Sequence, residues 1–600
     1  MATCFLLALL PALGLFGASA ELTVTIKQAS TGSLAPCDVS ITDAEGHLVI
    51  ENESFKSGFR SSGHFTKTLP VGPTQIRVSR GFETQVISTN LELSSGSTEL
   101  VLKLQRVVEL RRRGWYSSYS HVHMLHGERT LPVTFDDVAL AARAADLEYL
   151  SLAQAWTIEH PTPEVLENQL RGRSSPDCIL TWNLEAPKNY YKGDAGRCLG
   201  HCWNVGMRGR TREGLNVIDL LLDASAWDYE SSKPTYANFE SHQLIHTQGG
   251  AVFYTHPARW WIGPWGGKGG YPKRERMRVS NMAVELPLDT LIGPTFDGLD
   301  ILTGSGEQAA NAKSFEIWSM LLNHGYRLAA TASSDACFDR PGGAIPGVVR
   351  TYTFIPDGFS LSKLTQATVA GRTFVTSGPL LLASIDQKPP GTVFHSGSAQ
   401  RNLFIEGWAS GLDPGGLSRL EVLRNGKLFK ELSFKPHLAQ VQTNLLIQES
   451  KNAWYCVRLF GSDPKTQTAV SGAFYFPDKN TRPPASIPAQ VHLRVLDKVS
   501  GAPISATITE VTFEGTVGQD GKRHWLKSGE ANLKVPGTAR LRAESKGHRA
   551  LILSPILDCP EIIQSITSLY DTDLVDWKTF ETIQNQLSRI ELVFRLETDR

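Results

Sequence analysis

The stretch GWYSSYSHVHM, residues 114–124, decides the fold class of this chain. It reads as a strand that ends in two histidines, His121 and His123, and residues two apart on a strand point to the same face. Both imidazoles can therefore reach one cation. The pair alone is a weak signal, because two histidines at this spacing also occur as ordinary surface residues of strands.

Similar strand patterns alternate with helical patterns from about residue 114 to 370. The further strand candidates are YLSLA (149–153), CILTWNL (178–184), GAVFYTH (250–256), GLDILT (298–303) and YRLAATASS (326–334). The helical patterns include FDDVALAARAADL (135–147), ESHQLIHTQGG (240–250) and SFEIWSMLLNHG (314–325). This alternation predicts a parallel sheet, either closed into a barrel or doubly wound, with ligands at the carboxyl ends of its strands.

Metal-binding residue types recur where these strands end. Glu185 follows CILTWNL, and His201 lies in CLGHCWNVG (198–206). His256 ends GAVFYTH, and Asp335 follows YRLAATASS. Buried strands have little reason to finish repeatedly in such residues unless these converge, because burying unpaired charge is unfavourable. The sequence therefore predicts one metal site built from these four residues and the histidine pair.

The order and spacing of these residues resemble the PHP (polymerase and histidinol phosphatase) superfamily and, within it, the secreted CehA/McbA-type metallohydrolases, over roughly residues 114–385. The matching segments are GWYSSYSHVH (114–123), GHCWNVG (200–206), GGAVFYTHP (249–257), WSMLLNHGYRLAATASSD (318–335), VVRTYTF (348–354) and VAGRTFVTSGPLL (369–381). The resemblance implies a distorted (β/α)7 barrel that holds a cluster of divalent metals. It also implies hydrolysis of a phosphoester, ester, amide or carbamate bond.

The resemblance assigns roles to residues position by position. His121 and His123 match the first metal motif, and Glu185 matches the residue that bridges the metals. The residues that match later ligand positions are His201, His256 and Asp335. The predicted catalytic residues are Glu185, His256 and Asp335.

Three motifs depart from the family pattern. Tyr119 stands where the family usually has Asp, Gln154 and Ala155 replace an Asp-His pair, and Cys337 replaces the final His. Ala155 cannot bind a metal, so we expect one metal position to be weakened or lost, which leaves one or two ions. Cys337 can bind as a thiolate, which favours zinc over manganese. His126, three residues beyond the histidine pair, is either a replacement ligand or a loop histidine.

Several residues near these strand ends are candidates for substrate contact. The loop ARWWIGPWGGKGGYPKR (258–274) contains Trp260 and Trp261, whose faces can stack on a sugar or planar ligand or simply pin the loop to the barrel. Arg340 is a candidate anion clamp or a member of a surface ion pair. His160 is a more remote ligand candidate. We expect a small-molecule or glycan substrate.

The departures leave three functional hypotheses open. The first is an exported metal-dependent hydrolase with an unknown substrate. The second is a barrel that has lost catalysis and serves as a secreted binding or scaffold protein. The third is a structural protein in which the cation only braces the barrel. The six matching ligands favour the first hypothesis, and the replaced ligands favour the second.

Strand patterns without helices flank the predicted barrel at 111–372. They predict a regulatory-like β-sandwich at 21–110, an immunoglobulin-like sandwich at 373–480 and a further sandwich at 481–600. The last resembles the first, because VHLRVLDKVSGAPISATIT (491–509) is similar to LTVTIKQASTGSLAPCDVSIT (22–42). The predicted fold is therefore multidomain, with a central distorted α/β barrel flanked by β-sandwich domains.

The charge balance and the amino-terminal pattern indicate which classes of partner and which location to expect. The 600 residues include 60 basic and 60 acidic ones, and this balance argues against a general attraction to nucleic acid. Residues 1–20 join an apolar run to Ala-Ser-Ala, which is typical of a cleavable export signal, with a short membrane anchor as the alternative. We therefore expect a secreted, periplasmic or cell-envelope protein that begins near Glu21. The sequence predicts no later membrane span and does not indicate the oligomeric state.

Overall fold

The structure is a computed structural model that describes residues 18–125, 131–154, 161–185, 199–212, 214–224, 237–261, 278–281, 283–304, 308–343, 345–397, 399–478, 481–512, 519–569 and 576–599. Most of the predicted export signal lies outside these ranges, as do His126, Ala155 and His160. None of the helices in these ranges is both long and apolar enough to cross a membrane.

The amino-terminal region is a sandwich of two sheets. Its strands are β1 (Ser19–Gln28), β2 (Cys37–Thr42), β3 (Phe59–Ser61), β4 (His64–Pro70), β5 (Gly72–Ser79), β6 (Ile87–Leu93) and β7 (Gly96–Leu104). One sheet has the order β4-β1-β7 and the other β3-β2-β5-β6. Apolar residues alternate along β1, so Leu22, Val24 and Ile26 share one face and pack against Val39 and Ile76 of the second sheet.

The central region alternates strands with helices. Its elements are a 3₁₀ helix (Leu110–Arg113), β8 (Trp115–His123), α1 (Phe135–Ala144), β9 (Tyr149–Gln154), α2 (Pro163–Arg171), β10 (Ile179–Leu184), β11 (Cys202–Val205), α3 (Val217–Ala224), α4 (Asn238–Thr247), β12 (Ala251–Tyr254), β13 (Ala258–Trp261), β14 (Arg278–Asn281), α5 (Leu286–Ile292), β15 (Gly298–Thr303), α6 (Gln308–Asn323), β16 (Ala329–Ser333), β17 (Ala336–Cys337), β18 (Arg350–Phe354), α7 (Leu361–Val369) and β19 (Thr373–Thr376). Helix α1 begins at a capping box in which Thr134 and Asp137 bond to each other's backbone N–H.

The central strands form two larger sheets and a separate pair, β13-β14. Strands β8, β9 and β10 are parallel, and so are β12, β15 and β16. Strand β11 runs antiparallel to β12, and β18 runs antiparallel to β8, which the alternation of strands and helices did not predict. Strand β10 contacts β11, and β16 contacts β8, β18 and β19, so the two sheets lie against each other. Among the described residues, hydrogen bonds do not close the two sheets into a single barrel.

The next region continues the first central sheet. Its strands are β20 (Leu380–Ile385), β21 (Gln400–Trp408), β22 (Leu417–Arg424), β23 (Lys427–Leu438), β24 (Gln440–Gln448), β25 (Ala453–Phe460), β26 (Thr468–Ser471) and β27 (Phe474–Phe476). Strand β19 pairs with β26, so one sheet runs β10-β9-β8-β18-β19-β26-β25-β22-β23 across the predicted boundary at residue 372. A second sheet, β20-β21-β24, completes this sandwich.

The carboxyl-terminal region has the same strand order as the amino-terminal one. Its elements are β28 (Ala489–Asp497), β29 (Ala506–Thr512), β30 (Gln519–Leu526), β31 (Glu530–Val535), β32 (Arg540–Glu544), β33 (Leu551–Leu553), α8 (Pro560–Ser568), α9 (Trp577–Leu587) and β34 (Ile590–Leu596). The sheets are β31-β28-β34 and β30-β29-β32-β33. Two helices, α8 and α9, lie between the sixth and seventh strands, where the amino-terminal sandwich has a short turn.

Candidate metal centre

The structure brings six of the seven predicted metal-binding residues to one place. All six lie at or next to strand ends: His121 and His123 at the end of β8, Glu185 after β10, His201 before β11, His256 after β12 and Asp335 after β16. Their ligand atoms form two groups. The first group is His121, His123, Glu185 and Asp335, and the second is Glu185, His201 and His256. Within each group, one ligand atom per residue lies within 4.8 Å of all the others. Glu185 belongs to both groups, as expected of a bridging ligand.

The first group has separations between 3.2 and 3.8 Å, the longest between His121 Nε2 and Glu185 Oε1. His123 Nε2 lies 3.2 Å from Asp335 Oδ1 and 3.4 Å from Glu185 Oε2. His121 Nε2 lies 3.4 Å from Asp335 Oδ1 and 3.2 Å from His123 Nε2. Ligand atoms about 2.1 Å from a shared zinc ion are about 3.4 Å apart in a tetrahedral site. The group therefore has the spacing of a metal site.

The second group shares the other oxygen of the bridge. His201 Nδ1 lies 3.0 Å from Glu185 Oε1, and His256 Nε2 lies 4.0 Å from the same oxygen. The rings of His201 and His256 are 5.0 Å apart between centroids, and His256 is 5.6 Å from His121 of the first group. The two groups are thus adjacent, with His256 and Glu185 between them.

Two of the predicted ligands have a left-handed backbone. His256 has a φ of 28° and Asp335 a φ of 55°. This conformation is uncommon for residues other than glycine, and it concentrates at functional sites where the surroundings enforce it. Here it turns the chain directly after β12 and β16, where both side chains enter the cluster.

The site is deeply buried and attracts positive charge. His121 and His123 are fully buried, and Glu185 is 1% exposed. Burial lowers the pKa of His123, but the Asp335 and Glu185 carboxylates outweigh burial and raise this pKa to about 9. The two carboxylates therefore stabilise positive charge at this point, which a divalent cation can supply in place of a proton.

Hydrogen bonds orient both histidines of the first motif. His123 Nδ1 lies 2.9 Å from the Ala153 carbonyl oxygen, which can only accept, so Nδ1 carries the proton and Nε2 faces the cluster. His121 Nδ1 lies 2.8 Å from Thr255 Oγ1. Such partners fix the tautomer and the ring orientation of metal-binding histidines. The sequence analysis did not single out Thr255, although it directly precedes His256.

The replaced positions lie beside the cluster. The Tyr119 hydroxyl bonds to Ser334 Oγ, and burial raises the pKa of this phenol, so it stays protonated. Gln154 is buried at the end of β9. Cys337 Sγ donates to the Asp335 carbonyl oxygen at 3.6 Å, and burial holds the pKa of the thiol well above its usual range. Cys337 belongs to neither group of ligand atoms among the described residues, so its predicted metal role stays a prediction.

The predicted substrate-contact residues are placed only in part. Trp260 and Trp261 lie in strand β13, paired with Val279 and Arg278 of β14, rather than in the loop that the sequence predicted. Their side chains lie outside the described parts of the structure. Arg340 is partly buried near Cys337, and its charge lowers the pKa of that thiol against the effect of burial. The roles of these residues in substrate contact stay predictions.

One buried carboxylate next to the site, that of Asp300, was not among the residues predicted from sequence. Asp300 of β15 accepts a hydrogen bond from Trp203 Nε1 at 3.1 Å and from Thr331 Oγ1 at 2.7 Å. Burial raises the pKa of Asp300, while bonds from Ser333 and Thr331 lower it. The signal available in the sequence was an acidic residue within the otherwise apolar strand GLDILT.

Comparisons with known proteins give weak similarities. No protein-family model matches the sequence, and no curated protein matches it. The fold is similar to a two-domain protein of Bacteroides vulgatus that contains a predicted PHP-like metal-dependent phosphoesterase, with 11% identity, a TM-score of 0.31 and coverage of 60% of this chain and 94% of that one. It is also similar to a β-glucuronidase of Parabacteroides merdae, with 10% identity, a TM-score of 0.17 and coverage of 87% and 73%. These scores are too low to assign a function.

Proposed function

We propose that the protein is a metal-dependent hydrolase of the PHP type, with its active site at the cluster around Glu185. The convergence of six side chains from distant segments on two overlapping groups of ligand atoms carries this proposal. Four imidazoles and two carboxylates suit zinc and manganese, so the residues present fit one or two divalent ions. The two central sheets would then correspond to the distorted barrel of that family.

The residues divide between two positions. His121, His123 and Asp335 would hold one ion, and His201 and His256 would hold the other. Glu185 would bridge them, with an oxygen directed to each group. A bound divalent cation supplies Lewis-acid polarisation of the scissile bond and activates water.

The protein itself supplies orientation and exclusion of solvent. The Ala153 carbonyl and the Thr255 hydroxyl fix the two imidazoles of β8. Glu185, His256 and Asp335 are the proposed catalytic residues, and Trp260, Trp261 and Arg340 are the proposed contacts to a small-molecule or glycan substrate. We further propose that the protein acts outside the cytoplasm, on the basis of residues 1–20.

A second candidate function is a binding or scaffold protein built on an inactive barrel. The buried Gln154 favours it, because this residue ends β9 where the resemblance implies a carboxylate. The Cys337 thiol favours it too, because it bonds to a backbone carbonyl rather than joining the ligand atoms.

The two functions are separated by metal analysis combined with turnover assays. We expect the purified chain to contain zinc or manganese and to hydrolyse a chromogenic phosphodiester or carboxylate ester. Glu185→Gln should lose both properties. Glu164→Gln, which changes an exposed carboxylate of α2 bonded to Arg210, should keep both. Metal without turnover would favour the inactive barrel, and a chain that binds no metal would refute the hydrolase.

A further inference from the structure

A chain of hydroxyl groups connects His121 to the buried carboxylate of Asp300. Thr255 Oγ1 lies 2.8 Å from His121 Nδ1 and 3.4 Å from Ser333 Oγ. Ser333 Oγ in turn bonds to Asp300 Oδ2. Every member of this chain is at most 1% exposed, so solvent does not replace any of these bonds.

The chemistry of the groups sets the direction of the chain. An indole N–H can only donate, so Asp300 Oδ2 accepts from Trp203 Nε1. The carboxylate also accepts from the Ser333 and Thr331 hydroxyls. The Ser333 oxygen is then left to accept from Thr255. The Thr255 oxygen in turn accepts from the N–H at Nδ1 of His121.

This direction determines the tautomer of His121. With its proton at Nδ1, the ring directs the lone pair of Nε2 to the position that the first ligand group surrounds, where Asp335 Oδ1 lies 3.4 Å from Nε2. A metal ligand needs that lone pair. Asp300 thus fixes the proton of His121 at Nδ1 through two hydroxyls, as the Ala153 carbonyl directly fixes the proton of His123 at Nδ1.

The chain also joins the two central sheets at the site. Asp300 lies on β15, Ser333 ends β16 and Thr255 follows β12, all in the second sheet, whereas His121 lies on β8 of the first. His201 and His256, next to β11 and β12, belong to the second sheet's side of the cluster. Fixing His121 to Asp300 therefore fixes one half of the ligand set relative to the other.

We propose that Asp300 is a positioning residue for metal binding, which acts on His121 through Ser333 and Thr255. The proposal rests on the proposed function, since it assumes that the cluster binds a divalent ion. Removal of such an outer partner typically weakens metal binding about 10- to 100-fold.

The test is a cobalt titration of the full chain after its metal has been removed with a chelator. Cobalt(II) reports its ligand geometry through visible absorption, so affinity and site geometry are read together. Asp300→Asn keeps the shape and most hydrogen bonds but removes the charge; we expect about 10- to 100-fold weaker binding and an altered absorption spectrum. Glu148→Gln is the matched control, because Glu148 is a buried carboxylate that also accepts from a serine hydroxyl, that of Ser117.

A pair of variants at Thr255 keeps the test decisive if Asp300→Asn does not fold. Thr255→Val breaks the chain and should weaken cobalt binding, whereas Thr255→Ser keeps the hydroxyl and should restore it. If the wild type binds cobalt and both Asp300→Asn and Thr255→Val bind it within threefold of the wild-type affinity, the positioning role is overturned while the proposed function stands. A wild-type chain that binds no cobalt would overturn both.

Discussion

Two buried clusters of charged side chains lie at opposite ends of β8 and β9. At the amino ends, the backbone N–H of Ser117 donates to Glu148, which directly precedes β9. Beside it, Asp146 pairs with Arg80 at 2.8 Å and with Arg106 at 2.7 Å. At the carboxyl ends, the carboxylates of Glu185 and Asp335 face four imidazoles instead.

The difference between the clusters shows which one needs an external cation. Guanidinium groups are always charged and only donate, so in the amino-end cluster Arg80 and Arg106 compensate the charge of Asp146 with groups of the chain itself. Imidazoles have lone pairs to offer, and their usual pKa is near neutrality. The carboxyl-end cluster is therefore built to receive a cation, at the strand end where ligands bind in α/β folds.

The largest expected effect is the loss of an arginine from the amino-end cluster. Arg106→Met removes a positive charge that pairs with the carboxylates of Asp146 and Glu83 in a buried site. We therefore expect the free energy of unfolding to fall by about 3 kcal/mol. Urea denaturation with and without a chelator measures this loss, which should not depend on metal. Arg112→Met is the control, because Arg112 is exposed and pairs with Glu109 three residues away. Equal effects of the two substitutions would contradict the account of this cluster.

The next effect is stabilisation of the carboxyl-end cluster by metal. Zinc at 100 times its dissociation constant should raise the free energy of unfolding of the wild-type chain by about 2.7 kcal/mol. His121→Ala should lose most of this gain, because it removes a ligand from the first group. Thermal denaturation of both proteins, with and without zinc, measures it. The same zinc-induced shift in both would show that the stabilising ion binds elsewhere.

A further effect, at most about as large as the first, is the pH dependence of the amino-end cluster. Burial, together with the charge of Asp146, raises the pKa of Glu148 from 4.5 to about 7. The native chain therefore holds a proton that the unfolded chain has lost, and stability should fall as pH rises from about 4.5 to 7, by at most about 1.4 kcal/mol per pH unit. Glu148→Gln stays neutral, so it should match the wild type near pH 4 and exceed it at pH 8. Denaturation midpoints of both proteins at these two pH values check the sign, and an unchanged pH profile would contradict it.

The smallest expected effect is at Cys337. Its thiol donates to the Asp335 carbonyl, and serine can make the same bond. Cys337→Ser should therefore change zinc affinity by less than about threefold, as measured by competition with a chromogenic chelator. A loss of more than about tenfold would identify the thiolate as a ligand, as the sequence suggested.

Sequence patterns located five of the six residues of the cluster because each of these five ends or closely follows an apolar strand, whereas His201 precedes β11. His121, Glu185 and His256 stand out for that reason alone, and the resemblance supplied their order. The antiparallel course of β11 and β18 was not visible, because strand direction depends on segments that are distant in sequence. The link of Asp300 to the cluster was missed for the same reason, since Ser333 bonds to Asp300, and Thr255 to Ser333, only in the folded chain.

The amino-end cluster was equally hidden from sequence. Glu83 and Asp146 are 63 positions apart in the printed sequence, and nothing in either neighbourhood marks them as partners. Arg106 contacts both only because the amino-terminal sandwich lies against the start of β9. From sequence alone, charged residues of this kind are predicted to be exposed, because their burial depends on tertiary contacts.

The most direct test is calorimetric titration of zinc into the full chain after its metal has been removed with a chelator. We expect saturable binding of one or two ions with release of protons, because His123 must lose its proton to bind. Glu185→Gln should abolish or strongly weaken this binding. No binding by the wild type, or equal binding by Glu185→Gln, would contradict the claim that this cluster is a metal centre.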